Sequence, residues 1–172
     1  MIRLACSAAV LAACFGLVPA YAQEPGSRQT REFVQAAGQS DKFEILEAQT
    51  ALAQSSDPQI RAFAQQMIQD HSATSRALRD AAARAGLAPP PEGISTDQAA
   101  MLNSLQSQRG RDFDRVYARQ QAVAHHSALV VERKYAAEGD QPAIRRVAAS
   151  ASPTIASHLA MAEQMQMRLG EH

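Results

Sequence analysis

The 172-residue chain carries 17 Lys and Arg against 17 Asp and Glu, so its formal net charge at pH 7 is zero. The charges alternate in sign and form no basic tract, which argues against nucleic acid and anionic membrane surfaces as partners. Both cysteines, Cys6 and Cys14, lie within the first 22 residues. If that segment is removed, disulfide frameworks, cysteine metal sites and cysteine nucleophiles are all excluded.

The first 22 residues are typical of an export signal. Arg3 supplies a positive start, residues 4–18 are apolar, and Ala20-Tyr21-Ala22 offers the small residues of a cleavage site. The apolar run is short for a bilayer span. We therefore predict a mature protein that begins at Gln23, lies in the periplasm or at the outer membrane, and has no transmembrane segment.

A second interpretation of the same segment is a lipid anchor. Leu11-Ala12-Ala13-Cys14 resembles a bacterial lipobox, which would leave a lipid on Cys14. We favour the removed signal because the lipobox would make the signal unusually short. The predicted organisation is then a signal at 1–22, a flexible lead-in at 23–30 and one helical domain at 31–170.

Apolar residues at helical spacing predict an all-α domain of four long helices and one short one. The second helix has clear ends: Asp57 and Pro58 suit its first turn, and Gly86 suits a left-handed residue at its end. Ser95 and Gln98 form a capping box for the short helix. In chain order, the predicted helices cover residues 28–54, 57–86, 96–108, 111–138 and 141–169.

These helices predict a four-helix bundle, with the short helix in the connection between the second and fourth. In the fourth helix, the apolar Val123, Val130 and Val131 are expected to face the inside. In the fifth, Pro153 is expected to kink or bulge the helix just before His158. The pattern does not determine whether the second and fourth helices run in the same direction.

Five polar side chains fall near the middle of the long helices and are expected to share one layer of the bundle. They are Asp41 and Glu44 on the first helix, His71 on the second, His125 on the fourth and His158 on the fifth. Such a layer could hold a single Zn²⁺, Cu²⁺ or Fe²⁺ ion. It could equally be a buried histidine–carboxylate network that fixes helix register. A shared ion requires ring nitrogens within about 4–5 Å of each other.

A carboxylate-bridged di-iron centre is not expected. Such a centre uses a Glu three residues before each histidine, and this chain has Ile68, Ala122 and Ile155 at those positions. Met161 and Met165 share a helix face with His158, a combination that suits Cu(I), although methionine at this spacing is more often core filler. No nucleophile pair or phosphate-binding loop is evident.

The chain resembles a bacterial exported family called domain of unknown function 4142, placed in the ferritin-like superfamily. The resemblance covers residues 32–164, and His125, ten residues before Tyr135, matches the family's histidine better than His126 does. It implies a ferritin-like four-helix bundle in the periplasm or at the outer membrane, and no established activity. The most specific segments are residues 33–44 (FVQAAGQSDKFE), 60–71 (IRAFAQQMIQDH), 112–117 (DFDRVY) and 152–163 (SPTIASHLAMAE).

From these observations we expect a non-catalytic bundle of the cell envelope that acts as a structural or interaction module, in a stress-related role. The expected partner is an envelope protein or a second copy of the chain. The alternative is a metal-binding protein. The first role needs no cofactor. The alternative needs one transition metal ion held by His71, His125 and His158 with Asp41 or Glu44.

Overall fold

The structure, a computed structural model, describes residues 26–170. Within these residues the chain is all-α and contains no strand. The predicted signal at 1–22, with Cys14, lies outside the described residues. The helices are α1 (Arg28–Gln54), α2 (Pro58–Arg84), α3 (Thr96–Gln106), α4 (Gly110–Glu138) and α5 (Pro142–Gly170).

The helix ends follow the predicted capping residues. Ser27 accepts a hydrogen bond from the Thr30 amide, so residues 28–30 of the predicted lead-in are already the first turn of α1. The Asp57 carboxylate accepts from two amides in the first turn of α2, and Gly86, just after that helix, has a left-handed φ of 67°. The Ser95–Gln98 capping box is present at α3. These short polar signals therefore set the lengths of the elements.

Contacts at the helix ends fix the directions in the bundle. Ser55, after α1, donates a hydrogen bond to Asp114 at the start of α4, at 2.5 Å, so α1 and α4 run antiparallel. Arg168, near the end of α5, pairs with Asp57 at the start of α2, at 2.9 Å. Since α1 also packs on α2 and α4 on α5, each helix is antiparallel to both neighbours.

It follows that α2 and α4 are diagonal and parallel, and a long connection containing α3 joins them. One such crossover distinguishes ferritin-like bundles from simple up-and-down bundles. The connection crosses α1 at Gly38, where an added Cβ would lie 2.5 Å from the Cβ of Pro90. Glycine at this position lets the proline segment lie directly on the helix.

The apolar core is divided by height. Beside a small cluster of Leu129, Ala151 and Ile155, two larger clusters lie at different heights. One surrounds Phe63 and Tyr117 near the start of α2, and the other surrounds Phe33 and Leu78 near its end. The predicted histidine layer lies between them. A membrane-spanning helix is absent from residues 26–170, because each helix there is too short or too polar for a bilayer.

One predicted helix face is wrong. Val123, Val130 and Val131 of α4 are 56%, 57% and 41% exposed rather than inside. Gln121 and the residues that follow it at helical spacing occupy the inward positions, and several of them are polar. The apolar residues alone therefore predicted the wrong side of α4 as the buried one. The buried residues of this stretch are Gln121, Ala122, His125, Leu129, Glu132 and Tyr135. The fifth helix is continuous through Pro153.

Candidate metal centre

Three histidines from three helices meet in the middle of the bundle. His71 of α2, His125 of α4 and His158 of α5 are 3%, 0% and 1% exposed. Their ring centroids lie 5.3–5.5 Å apart. One ring nitrogen from each lies within 4.8 Å of the other two. The predicted shared layer is thus present, and its nitrogens meet the distance expected for a common ligand.

Each imidazole uses one nitrogen to bind a group on its outer side. His71 Nδ1 lies 2.8 Å from an Asp41 carboxylate oxygen, and His158 Nε2 lies 2.9 Å from an Asp70 carboxylate oxygen. His125 Nδ1 lies 2.9 Å from the carbonyl oxygen of Gln121, one turn earlier on the same helix. Two carboxylates and one carbonyl therefore surround the three rings.

These outer groups decide where the ring protons lie. A carboxylate or a carbonyl oxygen can only accept, so each outer ring nitrogen must carry a hydrogen. A neutral imidazole then has its lone pair on the other nitrogen. The inner nitrogens are Nε2 of His71, Nε2 of His125 and Nδ1 of His158. The first two lie 3.4 Å apart, and the third has no hydrogen-bond partner.

The shifts in pKa differ among the three histidine rings. Burial lowers the pKa of His125 to about 3 and that of His158 to about 4. Burial also acts against the charged form of His71, but the hydrogen bond to Asp41 and the charge of Glu44 outweigh it and raise its pKa. Two of the rings are therefore neutral at pH 7, the state in which imidazole binds a metal.

The two predicted carboxylate ligands lie outside the triangle of inner nitrogens. Asp41 accepts from His71 and from the Thr74 hydroxyl, at 2.7 Å. A Glu44 oxygen lies 3.8 Å from Nδ1 of His125, the outer nitrogen of that ring. Both carboxylates therefore stand where they can orient a histidine, in the way that outer carboxylates orient metal-binding histidines.

A second carboxylate, Glu47, lies beside Glu44 and was not among the predicted site residues. The Gln121 amide donates to Glu44 at 2.7 Å and to Glu47 at 2.9 Å. Burial raises the pKa of Glu44 to about 7, and burial with the neighbouring Glu44 raises that of Glu47 to about 8. The spacing of Glu47, three residues after Glu44, was the signal that could have found it.

The layer is closed on one side by an aromatic ring. Phe63 lies edge-on to His125 and His158, with centroids 6.3 Å away from each. Met161 and Met165 line a groove between α2 and α5 on the far side of Phe63. Met161 and Met165 therefore face this groove, and His126 is exposed at the surface.

Comparison with known proteins agrees with this architecture. A crystal structure of a DUF305 fragment from Deinococcus radiodurans superposes with a TM-score of 0.70 at 21% identity, covering 86% of this chain and 99% of that chain. At this identity the likeness shows the fold alone. No curated protein matches the chain. The family model of the domain of unknown function DUF4142 matches residues 17–165. The chain therefore belongs to the DUF4142 family, as its sequence resemblance indicated.

Proposed function

We propose that this protein binds one transition metal ion through Nε2 of His71, Nε2 of His125 and Nδ1 of His158. The observation that supports the proposal is the set of outer hydrogen bonds. Three acceptor groups hold the ring hydrogens on the outside, so the inner lone pairs of the neutral rings face one another in a buried layer.

The donor set suits a particular class of metal. Three imidazoles without thiolate favour Zn²⁺, Cu²⁺ or Fe²⁺, and Cu²⁺ binds most tightly within this series. Binding displaces the inner proton of His71 where that ring is protonated. Metal–nitrogen bonds of about 2.0–2.1 Å in a tetrahedral site place nitrogens roughly 3.3 Å apart. His71 and His125 are already at 3.4 Å, and the third nitrogen needs a shift on the order of 1 Å.

The proposed role is metal binding in the cell envelope rather than catalysis. The export signal predicted at 1–22 supports that location. The competing role is the structural or interaction module expected from the sequence, in which the same layer binds no metal. The three rings are at most 3% exposed and Phe63 packs on two of them. A substrate therefore has little room beside the metal, which supports a storage or transfer role.

Metal content separates the two roles. We expect untagged protein, exported to the periplasm and purified without chelator, to carry about one metal per chain by elemental mass spectrometry. The His71→Ala/His158→Ala double variant should carry none. His126→Ala removes an exposed histidine next to His125 and is the matched control that should keep the metal. Folded wild-type protein that stays empty with Zn²⁺, Cu²⁺ and Fe²⁺ would favour the structural role.

A further inference from the structure

A groove of about 430 Å³ between α2 and α5 reaches Asp70, which contacts His158 of the histidine layer. On α2 its wall is Asp70, Ala73, Thr74 and Ala77, residues that share one helix face. Small side chains line α5 opposite them. The two helices therefore leave an open channel at this height where larger side chains would have filled the space.

The inner end of this groove is made of groups that already contact two of the histidines. Asp70 accepts from His158, and the Thr74 hydroxyl donates to Asp41, which holds His71. On α5, Thr154 lines the groove, and the next residue on that face, one turn later, is His158. The Asp70 side chain is 29% exposed, whereas that of Asp41 is 12% exposed.

We propose that this groove is the route by which the metal ion enters and leaves, and that Asp70 is the residue that first attracts it. The inference rests on the proposed metal site. Asp70 touches solvent on one side and a ligand on the other, so the cation meets a carboxylate before it reaches the imidazoles. The oxygen not bonded to His158 is free for this contact.

The other charges in the groove do not oppose this direction of entry. Arg84 and Arg146 also line it, but at its far end. Arg84 is 14 residues after Asp70, which corresponds to about 21 Å along α2. That distance exceeds the screening length of roughly 8 Å at physiological salt. A cation therefore approaches at the Asp70 end, where the local charge is negative.

The neighbouring groove is a poorer route. It is lined by Phe63, Met161 and Met165, and the Phe63 ring lies between it and the imidazoles. Passage there requires displacement of a buried aromatic side chain, whereas passage at Asp70 requires only that a partly exposed carboxylate moves. The two grooves lie on the same pair of helices, so each provides a control for the other.

The test is the kinetics of Zn²⁺ binding to the full metal-free protein, by stopped-flow with a zinc indicator. Ala73→Leu with Ala77→Leu should narrow the groove. A higher barrier on the route that the ion takes slows association and dissociation equally, so we expect both rates to fall about tenfold with Kd unchanged. Ala62→Leu, in the neighbouring groove, should change neither rate.

Asp70→Asn tests the carboxylate itself. The amide oxygen still accepts from His158, but the charge is lost, so association should slow and lose most of its salt dependence. Asp80→Asn makes the same change at an exposed position of α2 that does not line the groove, and should leave the association rate near wild type.

The outcomes separate the two proposals. Unchanged rates in the Ala73/Ala77 variant, or slowing by Ala62→Leu alone, would overturn the entry route while leaving the metal site intact. Equal slowing of association by Asp80→Asn and Asp70→Asn would remove the special role of Asp70. A wild-type protein that binds no Zn²⁺ would overturn the metal site and, with it, the route.

Discussion

One equivalent of Zn²⁺ or Cu²⁺ should raise the unfolding temperature of the metal-free protein, and the His125→Ala variant should show no such rise. A ligand that binds only the folded state stabilises it by about 4 kcal/mol at a thousand times its Kd. His125 contributes an inner nitrogen and is fully buried, so its loss leaves two donors. Differential scanning calorimetry with and without metal measures the shift.

The readout in this experiment does not depend on how stable the variant is. His125→Ala also removes the bond to the Gln121 carbonyl and creates a cavity, so its metal-free form will unfold earlier than wild type. The comparison is therefore the shift on metal addition within each protein. His126→Ala should keep the full wild-type shift. A shift in His125→Ala as large as in wild type would show that the metal binds elsewhere.

The second large effect concerns the buried carboxyl groups in the absence of metal. Burial raises the pKa of Glu47 and of Glu132 from 4.5 to about 8. Between these pH values the unfolded chain has released its proton while the folded protein keeps it, so the free energy of unfolding falls as pH rises. We expect a loss of a few kcal/mol by pH 9, measured by urea unfolding in the presence of chelator.

The two histidines with lowered pKa values make the free energy of unfolding rise with pH, but only at lower pH. The pKa values of His125 and His158 are lowered in the folded state, so their contribution to stability rises with pH up to the unfolded value near 6.5. Above pH 6.5 this contribution is constant. Between pH 6.5 and 9 the fall in the free energy of unfolding therefore comes from the carboxyl groups and from His71, whose raised pKa acts in the same direction.

Glu47→Gln tests the assignment to a particular carboxyl. Its amide oxygen can still accept from Gln121, but it has no proton to lose. The variant should lose less stability than wild type between pH 6.5 and 9 and should be the more stable protein at pH 9. Glu163→Gln, on the exposed face of α5, is the control and should keep the wild-type slope. Parallel curves of stability against pH for wild type and Glu47→Gln would show that the pKa of Glu47 is not raised in the folded protein.

Much of the fold followed from local chemistry. Asp57 with Pro58, Gly86, and the Ser95–Gln98 pair marked helix ends because capping is decided within one turn of chain. The position of His71, His125 and His158 at one height followed from helices of similar length. Depth along a helix is a property of sequence position, so it could be predicted without knowing which helices are neighbours.

The parts that could not be predicted depend on rotation and on neighbours. Val123 was expected inside because it is apolar, yet the inward face of α4 carries Gln121, which bridges two buried carboxylates. Asp70 adjoins His71 in sequence but binds His158 on another helix. The members of a polar network hydrogen-bond to one another, so they can be buried although they are polar. A pattern that counts only apolar residues does not identify them.

The central claim is that three inner nitrogens hold one metal ion. The most direct measurement is anomalous diffraction at the zinc edge from crystals of metal-free protein equilibrated with one equivalent of Zn²⁺. We expect a single strong peak about 2.0–2.1 Å from Nε2 of His71, Nε2 of His125 and Nδ1 of His158. No peak at the layer, or a peak bound only by surface side chains, would contradict it and make these histidines part of the architecture alone.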